Sequence, residues 1–184
     1  AAPFFHLMGL VTFIFSVWNE CPMFVAPDKP LSVDYMIELL STGHPTVALL
    51  PPSVLEDMSQ SEKALASLKE VKKVYFAGAP LPLEIGEKLR KYTEIITVIG
   101  SSEAGVIPGL IPEDKTNWGY FEWNEDYGVE MQDTGGGVFE LVIPRKKDSR
   151  DWKAVFHTYP ELDAYPTNDL FTQHPTDPRL WKFC

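Results

Sequence analysis

The chain contains little cysteine, no concentrated positive charge and no apolar run of membrane-spanning length. Its 184 residues include two cysteines, Cys21 and Cys184. Two cysteines do not make a disulfide framework, so we expect a reducing, cytoplasmic setting. The longest apolar run, residues 4–18, contains His6 and is shorter than the roughly 20 residues that cross a bilayer. No basic stretch typical of a signal peptide is visible.

Charge and apolar content narrow the possible partners. The chain has 26 acidic and 16 basic residues, which gives a formal net charge of -10. Such acidity argues against binding of a nucleic-acid backbone, which needs a basic face. The densest basic cluster, residues 145–147, is followed directly by an acid. Hydrophobic residues make up 45% of the chain, so we expect a folded core in one domain or two small lobes.

Several familiar catalytic and cofactor motifs are absent from the sequence. It contains no Walker A pattern and no G-x-G-x-x-G pattern. The cysteines show no pair spacing, and the histidines are scattered along the chain at His6, His44, His157 and His174. The sequence therefore predicts no cluster of His and Cys metal ligands.

Up to about residue 110, helical patterns alternate with short apolar runs. The runs predict strands at 46–50, 71–76 and 94–99, with a further candidate at 23–26. Helical spacing predicts a buried helix at 4–20 and others at 33–40, 53–69 and 83–91, with a break near Ser59 in the third of these four. Ser32 is the expected N-cap of the second helix and Gly43 its C-cap. The alternation is typical of an α/β fold with a mostly parallel sheet and flanking helices.

The second half of the chain has the pattern of a smaller, antiparallel β-rich lobe. Short strands are predicted at 120–123, 128–131, 138–143 and 154–157. Residues 126–128 and the triple glycine 135–137 supply turns between them. We place the subdomain boundary after residue 112, so that the two subdomains comprise residues 1–112 and 113–184.

The segment 98–105 is the first candidate site. An apolar strand runs into a Gly/Ser turn that carries one carboxylate, Glu103. The carboxyl end of a parallel strand faces the ligand crevice of an open sheet. Hydroxyl and free N–H groups there can bind phosphate, and Glu103 can bind Mg²⁺. The alternative is an ordinary strand-to-helix turn with a capping serine.

The same turn suggests a rival function. Residues 100–104 differ by one substitution from the hydrolase elbow G-x-S-x-G, with Ser102 as nucleophile and Ala104 in place of the second glycine. Asp169 and His174 would then serve as acid and base. They lie only five residues apart, which does not resemble the usual wide spacing.

Three further segments are candidates for ligand contacts. Small residues within 75–81 let a backbone approach a flat ligand, although a plain loop is the simpler interpretation. His6, within 3–10, lines a substrate pocket or is a buried core histidine. Asp169 offers two acceptor oxygens to a ribose, or belongs to an Asx turn before a strand.

Taken in order, four motifs resemble those of the adenylate-forming superfamily, which includes acyl-CoA synthetases, luciferases and the adenylation domains of nonribosomal peptide synthetases. The matching segments are Pro3–Leu10, Ala77–Leu81, Ile99–Glu103 and Thr167–Leu170. Further segments resemble fungal enzymes similar to those synthetases, among them adenylate-forming carboxylate reductases. These segments are 117–123, 139–143, 155–160, 169–175 and 180–183.

This resemblance implies part of an adenylation domain. Such a domain activates a carboxylic acid with ATP and Mg²⁺ to an acyl-adenylate. The acyl group then passes to the phosphopantetheine thiol of a carrier domain. In enzymes that end in a reductase domain, NADPH releases it as an aldehyde. The implied partners are therefore a small carboxylic acid and a carrier domain, with no nucleic acid and no membrane.

The resemblance also assigns roles to individual residues. The loop against the adenine corresponds to Ala77, Gly78, Ala79 and Pro80. Ser101 and Ser102 correspond to nucleotide contacts, Ser102 with the phosphate, and Glu103 corresponds to the Mg²⁺ ligand. Asp169 corresponds to the aspartate that binds the ribose. Positions near the acyl pocket correspond to His6, Met8, Gly9, Val98, Gly100 and Gly105.

The sequence also departs from the family pattern. Ile99 stands where the wider family has an aromatic residue that stacks on adenine, and Asn168 stands where the family has glycine. No Asp occurs in 3–10, where domains that activate amino acids commonly carry one. We therefore expect an aryl or aliphatic acid without a free α-amino group.

The family's phosphate loop, its hinge and its catalytic lysine do not occur in the chain. We therefore expect an internal part of the domain that has little or no adenylation activity alone. A non-catalytic binding or scaffold module is the alternative, with apolar surface exposed.

Overall fold

The computed structural model describes residues 6–25, 29–146 and 153–184. They divide into two compact units, the first ending at Ile96 and the second beginning at Thr97. The subdomain boundary expected after residue 112 stays a prediction. Of the helices in the described ranges, none is both long and apolar enough to cross a membrane.

The first unit contains a small sheet with helices between its strands. Its helices are α1 (Leu7–Trp18), α2 (Val33–Gly43), α3 (Pro52–Ser59), α4 (Glu62–Ser67) and α5 (Leu83–Leu89), and its strands are β1 (Val47–Leu50), β2 (Lys73–Phe76) and β3 (Glu94–Thr97). The strand order is β1-β2-β3. Strands β1 and β2 run parallel, with Val47 opposite Lys73. The predicted α/β alternation is therefore confirmed.

Helix α2 shows how local sequence sets the helix ends. The Ser32 side chain accepts a hydrogen bond from the Tyr35 amide at 3.2 Å, as expected of an N-cap. The C-cap is His44 rather than Gly43, and its φ of 41° is left-handed. The helix therefore continues through the glycine, and its last carbonyls are capped one residue later than predicted.

Three local predictions for the secondary structure are wrong. Residues 23–25 form no strand, and residue 26 lies outside the described residues. Helix α1 is not buried, since Trp18 is 85% and Phe15 63% exposed. Residues 154–157 belong mostly to a short helix, α6 (Val155–Thr158), rather than to a strand.

Tertiary contacts explain the helical turn at α6. The Arg145 guanidinium donates to the carbonyl oxygens of Phe156, Tyr159 and Pro160 at 3.4, 3.5 and 2.9 Å. These carbonyls at the end of the turn would otherwise lack intrahelical partners. The β-branched and aromatic residues of α6 favour a strand, but these contacts override that preference.

The second unit is built on an antiparallel sheet. Its strands are β4 (Ile99–Ser101), β5 (Gly105–Ile107), β6 (Gly109–Leu110), β7 (Phe121–Trp123), β8 (Glu130–Gly135), β9 (Val138–Pro144), β10 (Ala164–Gln173) and β11 (Leu180–Phe183). The six-stranded sheet has the order β6-β7-β11-β10-β9-β8, and β4 pairs with β5 alone. The aromatic face of the six-stranded sheet includes Phe121, Phe171 and Trp181. It packs with Ala104 of the β4–β5 loop and Phe156 of α6. The predicted β-rich lobe is confirmed.

Candidate functional site

The Gly/Ser/Glu turn is the loop of a β-hairpin. Strands β4 and β5 pair with Ser101 opposite Gly105. The Ser101 Oγ accepts a hydrogen bond from the Ala104 amide at 3.1 Å, and Ala104 is buried in the core. The loop is therefore anchored at both ends, with Ser102 exposed and Glu103 half-buried at its tip. The alternative of a strand-to-helix turn is wrong, because a strand follows.

The hydrolase interpretation does not fit this geometry. A nucleophile elbow places its serine between a strand and a helix, whereas Ser102 lies between two antiparallel strands. His174 is engaged elsewhere, since its Nδ1 accepts hydrogen bonds from the amides of Thr176 and Asp177 at 3.3 and 3.1 Å. Its ring also packs edge-on against Tyr120. Ser102 therefore lacks the structural context of a nucleophile.

Asp169 lies in an irregular part of β10. Its amide donates to the Thr167 Oγ1 at 3.1 Å, and Thr167 in turn donates to the Leu141 carbonyl at 2.8 Å. Between them, Asn168 has a φ of 62°. Asparagine is one of the few residues that adopt this left-handed conformation readily, which explains how it replaces the family's glycine. The Asx-turn alternative is wrong, because Asp169 lies within a strand.

The electrostatic surroundings of Asp169 disfavour its charge. Burial raises the pKa of this carboxyl above 3.8, the Thr167 hydrogen bond lowers it, and the nearby charge of Glu140 raises it further. The net effect is an elevated pKa. A carboxylate kept in such surroundings is typical of a functional position.

The phenol of Tyr165 is subject to the charges of both acidic motifs, Glu103 and Asp169. Burial raises the pKa of Tyr165, and the charges of Glu103, Tyr159 and Asp169 raise it further. The Tyr165 ring also stacks on Tyr159, with centroids 5.7 Å apart and planes 12° from parallel. Glu140 was not a predicted site residue, because only the pairing of β9 with β10 brings it beside this part of the strand.

The candidate residues of the first unit lie in a loop and at a helix start. Residues 77–80 follow β2, and Gly78 has a φ of 96°, a conformation that suits glycine. His6 is exposed and caps α1, with its Nδ1 accepting from the Met8 amide at 3.2 Å. The interpretation of His6 as a buried core histidine is therefore wrong. Met8 is half-buried and Gly9 is buried.

The fit to magnesium depends on Glu103. No group of three or more His, Cys, Asp or Glu side chains within the described ranges could hold a metal ion by itself. Mg²⁺, however, is commonly bound by one or two carboxylates together with substrate phosphates. A half-buried carboxylate on a hairpin tip beside a serine hydroxyl fits that donor set.

The hairpin also requires glycine at position 100. A Cβ on Gly100 would collide with the carbonyl oxygen of Gly105 and lie 3.0 Å from the Val106 Cα. We expect Gly100→Ala to lower the free energy of unfolding by about 1–3 kcal/mol, the usual cost of overpacking. Urea denaturation measures this change.

Gly119→Ala is the matched control, because a Cβ there would meet nothing within 4 Å. It should leave the urea midpoint almost unchanged. Equal stability of the Gly100→Ala variant and the unaltered chain would contradict the close approach of β4 and β5.

The chain is similar in sequence to AMP-binding enzymes and to two reductases. A family model described as AMP-binding enzyme matches residues 1–128. A carboxylic acid reductase of Neurospora crassa is 29% identical over 97% of the chain, and an adenylate-forming reductase of Heterobasidion annosum is 28% identical over 99%. The chain spans only 18% and 17% of the lengths of these two relatives.

A solved structure has the same fold. The o-succinylbenzoate coenzyme A synthetase of Bacillus subtilis, in complex with ATP and magnesium ion, superposes with a TM-score of 0.71 at 16% identity. The match covers all of the chain and 40% of that protein.

Proposed function

Because this chain belongs to the AMP-binding enzyme family, we propose that it forms part of an adenylation domain that activates a carboxylic acid with ATP. The observation that carries the proposal is the placement of two partly buried carboxylates in the second unit, Glu103 at the tip of the β4–β5 hairpin and Asp169 in the irregular part of β10. The Glu103 carboxylate is suited to a phosphate-bound magnesium ion, and the Asp169 carboxylate is suited to ribose hydroxyls. The name of the Neurospora crassa relative, a carboxylic acid reductase, supports a carboxylic acid as the substrate, and the name of the Heterobasidion annosum relative supports adenylate formation.

The residues of the chain have separate tasks in this proposal. Bound Mg²⁺ would supply positive charge as pyrophosphate leaves. Glu103 would bind that ion, while Ser101 and Ser102 would bind the nucleotide, with the exposed Ser102 hydroxyl donating to a phosphate oxygen. Asp169 would accept hydrogen bonds from the ribose hydroxyls and fix the nucleotide in place.

Other assignments are proposed by family resemblance. Residues 77–80 would present their backbone to adenine. By the same resemblance, positions near an acyl pocket correspond to His6, Met8 and Gly9 in the first unit and to Val98, Gly100 and Gly105 in the second. A phosphopantetheine arm on a carrier domain would receive the acyl group, and NADPH would enter only where a reductase domain accompanies the chain.

Carboxylate-dependent exchange between ATP and pyrophosphate tests the proposed reaction. A parent protein, meaning one that contains this chain together with the family's phosphate loop, hinge and catalytic lysine, should exchange label with at least one acid of an aryl and aliphatic panel. Glu103→Ala should abolish the exchange. A folded parent protein that exchanges with no acid would contradict the adenylation function.

Substrate choice gives a separate prediction. We expect faster pyrophosphate exchange with a deaminated acid than with the matching α-amino acid. The reason is that residues 3–10 contain no carboxylate to pair with a substrate amine. Pairs such as phenylalanine and phenylpropanoic acid make the comparison at equal size. A clear preference for the amino acid would contradict this specificity.

A further inference from the structure

Strand β10 carries additional residues where Asp169 lies. Pro166 pairs with Val142 and Leu170 pairs with Glu140 across to β9. Three residues of β10, 167–169, therefore lie opposite Leu141 alone. A bulge of this kind bends its strand and changes the direction of its side chains, and bulges are common next to active sites. The direction of the Asp169 side chain therefore depends on the conformation of the bulge.

Two consecutive residues of β9 bind this bulge. The Leu141 carbonyl accepts the Thr167 hydroxyl at 2.8 Å, and the Glu140 carboxylate accepts the Asn168 amide at 2.9 Å. The left-handed Asn168 interrupts the regular pairing of β10 with β9. Its amide therefore needs an acceptor other than a backbone carbonyl of the partner strand. A hydrogen bond to a carboxylate is stronger than one to a neutral oxygen.

We propose that Glu140 is a positioning residue for the nucleotide site, because its carboxylate binds the Asn168 amide and thereby fixes the bulge that presents Asp169. The proposal rests on the proposed function, in which Asp169 accepts the ribose hydroxyls. Asp169 follows Asn168 directly, so a rotation of the peptide between them would displace the carboxyl group. The negative charge of Glu140 also disfavours the ionisation of Asp169.

Amide hydrogen exchange, measured by NMR on the full chain, tests the contact itself. Glu140→Ala should accelerate exchange at the Asn168 amide by about tenfold or more, because it removes the acceptor. Glu140→Gln keeps an oxygen at the same reach and should restore most of the protection. An Asn168 exchange rate that is unchanged in Glu140→Ala would overturn the proposal.

Glu122→Ala is the matched control. It removes a glutamate from the same sheet and breaks the 3.1 Å ion pair with Arg179, but it leaves β9 and β10 intact. Asn168 exchange should stay at the rate of the unaltered chain. If Glu140→Ala does not fold, Glu140→Val removes the same acceptor with a residue that favours strands.

The dissociation constant for ATP separates positioning from a purely structural contact. It should rise about tenfold in Glu140→Ala and stay near that of the unaltered chain in both Glu140→Gln and Glu122→Ala. Unchanged affinity in Glu140→Ala, in a chain whose ATP binding is weakened by Asp169→Asn, would overturn the positioning role. An unaltered chain without ATP affinity would count against the proposed function instead, whereas the Asn168 exchange rates would still decide whether Glu140 fixes the bulge.

Discussion

Replacing Asp169 with asparagine is expected to weaken ATP binding roughly ten- to a hundredfold, since a hydrogen bond to a charged group contributes about 1.5–3 kcal/mol. The amide keeps the size of the side chain but removes the charge and one acceptor oxygen. Isothermal titration with ATP and magnesium measures the loss. Asp163→Asn makes the same chemical change at an exposed residue just before β10 and should leave the affinity unaltered.

The same substitution should raise the melting temperature at neutral pH. The folded pKa of Asp169 is raised by burial and by Glu140, so the fold favours the protonated carboxyl. The stability from this group is fully present below its unfolded pKa and is lost as the pH rises through the folded pKa. The neutral amide of the Asp169→Asn variant does not titrate, so the variant would have no such loss.

The stability gain of Asp169→Asn should therefore shrink as the pH falls through the raised folded pKa towards the ordinary range of aspartate, and it should be absent below that range. Thermal unfolding of both chains across that pH range checks the sign. A melting temperature that is lowered by the substitution at neutral pH would contradict the elevated pKa. In the expected outcome, Asp169→Asn lowers ATP affinity and raises stability, as is typical where a functional residue is retained although it lowers stability.

Glu103→Gln is expected to remove most of the effect of magnesium on ATP binding. In the unaltered chain we expect Mg²⁺ to strengthen ATP binding through the Glu103 carboxylate, and the substitution should reduce that enhancement about tenfold. ATP affinity in the presence of a chelator should remain unchanged. Titrations with and without Mg²⁺ measure both quantities.

Glu125→Gln is the control for this substitution, because Glu125 is an exposed acid of the same unit. It should retain the full magnesium effect. An equal magnesium enhancement in the Glu103→Gln chain would assign the metal to other residues and remove the main role proposed for the hairpin tip.

Much of the fold could be predicted because its signals are local. The alternation of apolar runs with helical patterns predicted the order of β1, β2 and β3 with their helices. Ser32 was identified as an N-cap because capping involves residues only three positions apart. The order of the four motifs indicated the family in the same way, from residues that are adjacent in the sequence.

The errors arose where distant residues decide the local structure. The apolar helix α1 was expected to be buried, yet apolar composition does not specify which surface will cover it. Residues 154–157 favour a strand by propensity, but Arg145 stabilises a helical turn there by binding three carbonyl oxygens. Propensity is a weak preference, and tertiary contacts commonly override it.

The sequence by itself determined the α/β character of the first half, the β-rich second half and the candidate residues Ser102, Glu103 and Asp169. Only the tertiary structure decided that the serine turn is a hairpin tip and that residues 167–169 of β10 lie opposite Leu141 alone. It also decided that Glu140 binds the bulge beside Asp169. The physical reason is strand register, since the pairing of β9 with β10 joins residues that local propensity cannot relate.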